Sequence, residues 1–145
     1  MAKNISICME TKFNFKSQIC TTREQSERLL VLGLKKETAD ICLQSTLNVI
    51  WSPYILIDMP YSKVEALDLS KDVFRIIPAW SLGRLIKMMP KTIIMHFHTK
   101  EVSDTPYNRD LYAINILNSD NSIAEAVSII EWLIKESYFN KEYLA

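Results

Sequence analysis

Ser122-Ile123-Ala124-Glu125-Ala126-Val127-Ser128-Ile129-Ile130-Glu131-Trp132-Leu133-Ile134-Lys135 sets the architecture of this chain. Ile123, Val127, Ile130 and Ile134 recur at helical spacing, and Ala126, Trp132 and Leu133 widen the same stripe. Ser122 with Glu125 three residues later reads as a capping box, in which each side chain satisfies the other's free backbone N–H. The helix is expected to end near Ser137, with residues 138–145 as a short tail. A stripe this wide has to be buried against another layer.

That layer is sought upstream. Thr22 with Gln25 forms a second capping box, and the helix it opens runs through Leu29, Leu30 and Leu32 to Gly33, a residue suited to a left-handed helix end. Leu34 leads into an expected short helix over 36–42. Residues 46–59 read as strands interrupted at Ser52-Pro53, because proline gives the ladder no donor. Residues 61–71 are mixed and carry no clear element. Residues 73–77 form a short apolar strand. Pro78 is expected to open a third main helix, with Leu82, Leu85, Ile86 and Met89 on one stripe and Pro90 after it. Residues 92–99 and 111–117 read as two strands of an antiparallel hairpin, since no crossover helix separates them. Ile5, Ile7, Met9, Phe13 and Phe15 alternate as in a strand or a loose leader, and Met9 offers a second start.

Strands and helices do not alternate as βαβ units. The expected fold is α+β: a small, mostly antiparallel sheet with three main helices packed on it. Residues 1–18 form a strand or leader, and residues 19–145 form a single domain. The 145 residues, 48% hydrophobic and 23% charged, suit one globular core and exclude a disordered or fibrous chain. No apolar run reaches the ~18 residues of a membrane span. The three cysteines, Cys8, Cys20 and Cys42, form no CxxC pair, which fits reduced thiols and a cytoplasmic location. No signal-peptide run opens the chain.

Three blocks carry a resemblance. The first runs Thr21-Thr22-Arg23-Glu24-Gln25-Ser26-Glu27-Arg28-Leu29-Leu30, followed by Gly33-Leu34 and Glu37-Thr38-Ala39-Asp40. The second is Pro78-Ala79-Trp80-Ser81-Leu82 on to Met89-Pro90. The third is Ile130-Glu131-Trp132-Leu133-Ile134-Lys135-Glu136. Together they resemble a group of small uncharacterised proteins carried by phages and mobile elements of Bacteroides-type gut bacteria. The resemblance spans about residues 19–145. It implies a phage or mobile-element setting and supplies no activity or catalytic residue. Each block also has a structural explanation: Thr22 caps, Gly33 terminates, and Trp80 anchors a core.

The net charge is zero, but it is unevenly placed. Residues 1–100 carry 14 basic and 9 acidic side chains, while residues 101–145 carry 3 and 8. Arg75, Arg84, Lys87, Lys91 and Lys100 lie in a stretch without acids between Asp72 and Glu101. Such a strip attracts phosphates, although dedicated nucleic-acid binders are usually net basic. His96 and His98 share one strand face about 6.6–7 Å apart, a spacing at which two imidazoles can share a metal. Catalytic zinc takes three protein ligands, and the third would come from Glu101, Asp104, Cys42 or another distant group. The same run echoes the His-x-Thr motif of two-histidine phosphoesterases, without the second copy those enzymes need. Cys20, just before a helix N-terminus, is the thiol most exposed to a pKa-lowering dipole. The pair 22–32 and 36–42 has helix-turn-helix spacing, but Glu37 and Asp40 would face phosphates. With glycine only at 33 and 83, neither GxxxxGK[ST] nor GxGxxG can be written.

No catalytic set is assembled, and no cofactor is implied. The first functional reading is therefore a non-enzymatic protein-interaction (accessory) protein of a phage or mobile element. Its docking residues would be Tyr138, Phe139 and Tyr143, expected to be exposed after the last helix. A homo-oligomer through the same tail is a further expectation. The alternative is a nucleic-acid-binding accessory protein using Arg84, Lys87, Lys91 and Lys100. The second alternative is a metal-dependent hydrolase at His96 and His98.

Overall fold

The computed structural model describes residues 18–46, 50–67, 74–93 and 107–145. Its elements are α1 (Arg23–Val31), β1 (Ile41–Thr46), β2 (Ile50–Ile55), α2 (Tyr61–Leu67), β3 (Phe74–Ala79), α3 (Leu82–Met88), α4 (Arg109–Leu117) and α5 (Ser122–Lys135). Single 3₁₀ turns lie at Lys36–Thr38 and Lys141–Tyr143. The three strands form one antiparallel sheet in the order β2-β1-β3. The α+β class holds, and two short helices, α2 and α4, join the three expected ones. The expected strand or leader at 4–16 lies outside the described residues, as do residues 94–99 of the expected 92–99 strand.

Helix α1 follows its sequence signals. Gln25 N–H donates to Thr22 Oγ1 at 3.2 Å, and Thr22 N–H donates to Gln25 Oε1 at 2.9 Å, which completes the capping box. At the other end Gly33 has φ +103°. Its N–H reaches Leu30 O at 2.9 Å, and Leu34 N–H reaches Leu29 O at 3.1 Å. That pair of bonds is a Schellman closure, and it requires the left-handed residue that glycine supplies. Helix α5 is capped one residue before the expected position, so that it begins at Ser122 itself. Asn121, not Ser122, accepts from Ala124 N–H at 3.0 Å. The helix buries Ile123, Ala126, Val127, Ile130 and Leu133, as its stripe requires.

Four expectations are corrected. The helix over 36–42 is a single 3₁₀ turn followed by β1. Ile41, Cys42 and Leu43 are all buried, because β1 is the central strand and is covered on both faces. A strand buried on both faces loses the alternation that identifies strands in sequence. Pro78 does not open a helix. It lies in β3 opposite Cys42, and α3 starts after Ser81, whose Oγ accepts from Arg84 N–H at 3.2 Å. Residues 111–117 are helical, so the expected hairpin does not form. Asn108 Oδ1 accepts from Asp110 N–H at 2.9 Å and Leu111 N–H at 3.3 Å, and this cap overrides the β-branched content of the segment. The expected break at Ser52-Pro53 is also absent, since β2 runs straight through it.

The ladder explains how Pro53 and Pro78 fit inside strands. Leu56 N–H donates to Asp40 O at 2.9 Å. Leu56 follows Ile55 and Asp40 precedes Ile41, so Ile41–Ile55 is a non-hydrogen-bonded pair. Pairs alternate along an antiparallel ladder, so Leu43–Pro53 is non-hydrogen-bonded too. Pro53 turns its missing donor away from β1. Cys42 directs both backbone groups at Tyr54, which leaves Cys42–Pro78 non-hydrogen-bonded on the other side. Both prolines therefore sit on outer edges at no cost to the ladder.

The junction after β3 ties the layers together. Trp80 is fully buried, and its Nε1–H donates to Thr38 Oγ1 at 2.9 Å. Trp80 N–H donates to Thr21 Oγ1 at 3.1 Å, and Thr21 N–H returns to Trp80 O at 2.9 Å. The next residue, Ser81, donates its N–H to Asp40 Oδ1 at 2.9 Å and its hydroxyl to Asp40 Oδ2.

The tail after α5 is folded down. Phe139 is 4% exposed, and Tyr138 and Tyr143 are half-buried against the main core. Lys35 N–H donates to Tyr143 O at 2.8 Å, and Ala145 N–H donates to Gly33 O at 2.6 Å. The expectation of three exposed docking aromatics is corrected: the rings supply apolar surface that the α1–β1 turn covers. Phe139→Ala is expected to lower unfolding free energy by about 3 kcal/mol, as large-to-small core changes do, measured by urea denaturation. Ser137 closes α5 with φ 65°, a conformation costly for any side chain. Ser137→Gly is expected to raise stability by roughly 0.5–1 kcal/mol in the same assay.

Candidate functional site

Residues from three segments converge on one open cleft of about 640 Å³. Thr38 and Asp40 come from the turn before β1, Ser81, Gly83, Arg84, Lys87 and Met88 from the start and body of α3, and Tyr143 from the tail. The junction just described fixes its floor. Ser81 Oγ donates to Asp40 and accepts from Arg84 N–H, so the hydroxyl is committed as a cap. Thr38 Oγ1 donates to Lys35 O at 2.6 Å and accepts from Trp80. The rim carries charge. Arg84 and Lys87 are exposed and make no ion pair among the described residues.

Two of the four residues expected to bind nucleic acid, Arg84 and Lys87, thus share this cleft with Tyr143, one of the expected docking aromatics. Lys91 is exposed beyond α3, where its carbonyl accepts from Arg109 N–H at 2.9 Å. Lys100, His96 and His98 lie outside the described residues. Among the described residues no three His, Cys, Asp or Glu side chains are grouped as metal ligands. The helix-turn-helix spacing comes to nothing, because its second helix is a single 3₁₀ turn that leads into the central strand of the sheet.

Cys20 behaves opposite to its sequence expectation. The thiol is buried, and desolvation pushes its pKa up, with the Asp40 carboxylate adding to the effect. Loss of hydration here outweighs the α1 dipole, so Cys20 is a protonated core thiol and not an activated nucleophile. It packs with Ile41, Leu43 and Ala79 on the sheet face opposite the main core.

A second surface lies along β2. Ile50 and Ile55 are each 71% exposed and Tyr54 is 54% exposed, and Ile57 and Met59 extend the apolar row. Among the described residues nothing pairs with the outer side of β2. By the alternation derived above, that side presents the N–H and C=O groups of Trp51 and Ile55 and the C=O of Pro53. Arg23 covers the Trp51 ring at 5.3 Å and leaves the backbone edge open. Another apolar row, Leu111, Ile114 and Leu117, faces outward on α4. In the sequence Pro53 reads as a turn or an edge; the structure has the edge, with β2 continuing through the proline. Among the described residues no helix is long and apolar enough to cross a membrane.

No protein-family model, curated protein or solved structure matches this chain.

Tyr107 gives this region a pH signature. It is 2% exposed, stacks on Tyr112 at 4.7 Å between ring centroids, and its hydroxyl has no hydrogen-bond partner among the described residues. Burial pushes its pKa up to about 12, against an ordinary 10.0, with Arg109 opposing the shift. Between those values the unfolded chain loses the phenolic proton and the folded chain keeps it. Stability must therefore fall as pH rises through that window. Tyr107→Phe is expected to flatten that fall while leaving stability at pH 7 unchanged or slightly raised, as followed by thermal melts from pH 7 to 12.

Proposed function

We propose that this chain is a non-enzymatic interaction protein whose β2 edge receives an extended, uncharged apolar segment of a protein partner. One observation supports the reading: a strand edge that is unpaired among the described residues and whose flanking side chains, Ile50, Tyr54 and Ile55, are all more than half exposed. Long apolar edges are normally blunted by charge or covered, because they template association. A partner strand would bond to Trp51 and Ile55 and place β-branched or aromatic residues against Ile50 and Tyr54. Pro53 removes the central donor, so two copies pairing antiparallel about that residue would face each other with two donors missing. That favours a different protein over a second copy. The cytoplasmic setting belongs to the proposal and is supported by Cys20, a thiol that forms no disulfide among the described residues. The phage or mobile-element setting belongs to the same proposal and rests on the resemblance of the three sequence blocks.

The test uses tagged pull-downs from lysate of the native host, with and without nuclease treatment, and with Ile55→Pro in parallel. Ile55 N–H points away from β1, so this change removes an outer donor and leaves the ladder intact. A stoichiometric protein is expected that Ile55→Pro loses. In the complex, the Trp51 and Ile55 amides are expected to gain protection from hydrogen exchange. Retention indifferent to Ile55→Pro would overturn the reading. Nuclease-sensitive material lost on Arg84→Glu/Lys87→Glu would instead favour nucleic-acid binding.

A further inference from the structure

The cleft between the Lys36–Thr38 turn, α3 and the tail divides into a floor and a rim of opposite character. On the floor the hydroxyl protons are already placed: Ser81 donates to Asp40, and Thr38 donates to Lys35 O. What the floor still offers is acceptor capacity. A carboxylate has about four lone-pair sites, and Ser81 fills two of those on Asp40. On the rim the reverse holds. Arg84 brings a planar fork of donors and Lys87 a mobile ammonium, and neither is neutralised among the described residues. Met88 and Tyr143 supply an apolar wall between them.

A ligand that satisfies both parts needs an anionic group for the rim and hydroxyl donors for the floor. Two monocations match a dianion better than a carboxylate, and a fork with a point charge is a common pairing for phosphate. A bare anion would use the rim and meet the unneutralised Asp40 carboxylate. A neutral sugar would use the floor and leave both cations idle. The volume lies within the range of small-molecule sites. We propose that this cleft binds a hydroxyl-bearing phosphate monoester, with the phosphate on Arg84 and Lys87 and a sugar hydroxyl donating to Asp40. The site is separate from the β2 edge and stands whether or not that surface docks a partner.

Gly83 provides a clean block. It lines the cleft, and a Cβ built on it meets no atom within 4 Å. Gly83→Leu therefore fills the cleft with a better helix former and is expected to fold. Isothermal titration with ribose 5-phosphate, adenosine monophosphate, inorganic phosphate and ribose tests the proposal. Ribose 5-phosphate is expected to bind about tenfold more tightly than inorganic phosphate, and ribose not to bind below roughly 10 mM. Arg84→Ala/Lys87→Ala should weaken both phosphates by about tenfold or more. Asp40 also holds the α3 cap through Ser81, so Asp40→Asn is read as a ratio: ribose 5-phosphate should lose about fivefold relative to inorganic phosphate, because only the sugar arm meets the carboxylate directly. Gly83→Leu should abolish binding, with a melting temperature at or above that of the parent. Adenosine monophosphate binding more tightly than ribose 5-phosphate would assign the ligand as a nucleotide. Equal or weaker binding would assign it as a sugar phosphate. No saturable binding of ribose 5-phosphate up to roughly 10 mM overturns the proposal. So does binding that survives Gly83→Leu, or equal affinity for ribose 5-phosphate and inorganic phosphate.

Discussion

Trp80 and Ser81 hold together segments that the chain order keeps apart. One dipeptide bonds to Thr21 before α1, to Thr38 in the 3₁₀ turn and to Asp40 at the start of β1. Each bond is made inside or at the margin of the core, where an unpaired donor costs on the order of 1–3 kcal/mol. The indole fills the space between sheet and helices, and its single N–H is satisfied by a hydroxyl that is itself anchored to Lys35 O. The cap of α3 is built from the same set, since the hydroxyl that receives Arg84 N–H is held by Asp40. The direction of α3, and with it the placement of Arg84 and Lys87, depends on this junction.

Sheet and helices meet the edge problem with economy. Three strands leave two edges, and each carries a proline at a position where the ladder asks for no donor. On β3 the edge is further closed by residues 20 and 21, through the Cys20–Ser81 bridge and the Thr21–Trp80 bonds. On β2 the proline stands without such cover among the described residues. The same residue type thus completes a protected edge on one side and interrupts an open one on the other. That contrast is the reason the proposed docking falls on β2 and not on β3.

Elements with local signals were legible in the sequence. The Thr22–Gln25 box, Gly33 and the long stripe from Ile123 to Ile134 each act within one or two turns of the backbone, so residue spacing reports them directly. β1 was not legible, because burial on both faces erases the period of two. α4 was misread because Leu111, Tyr112, Ile114 and Ile116 have the composition of a strand. The opposing signal was the single Asn108 cap. For the cleft, the sequence supplied Arg84 and Lys87 as basic residues. Their meeting with Thr38, Asp40 and Tyr143 was hidden, since tertiary packing alone joins those segments.

The clamp of the tail on the α1–β1 turn bears on how the protein is made. Gly33 and Lys35 leave the ribosome well before their backbone partners, Ala145 and Tyr143. Arg28 and Glu131, which pair between α1 and α5, are 103 positions apart. Contacts of that span slow folding, because loop closure must precede the contacts that repay it. During synthesis the first helix waits with its apolar face uncovered while the sheet is still being translated. A chaperone that shields α1 in that interval would act on yield without altering the finished fold.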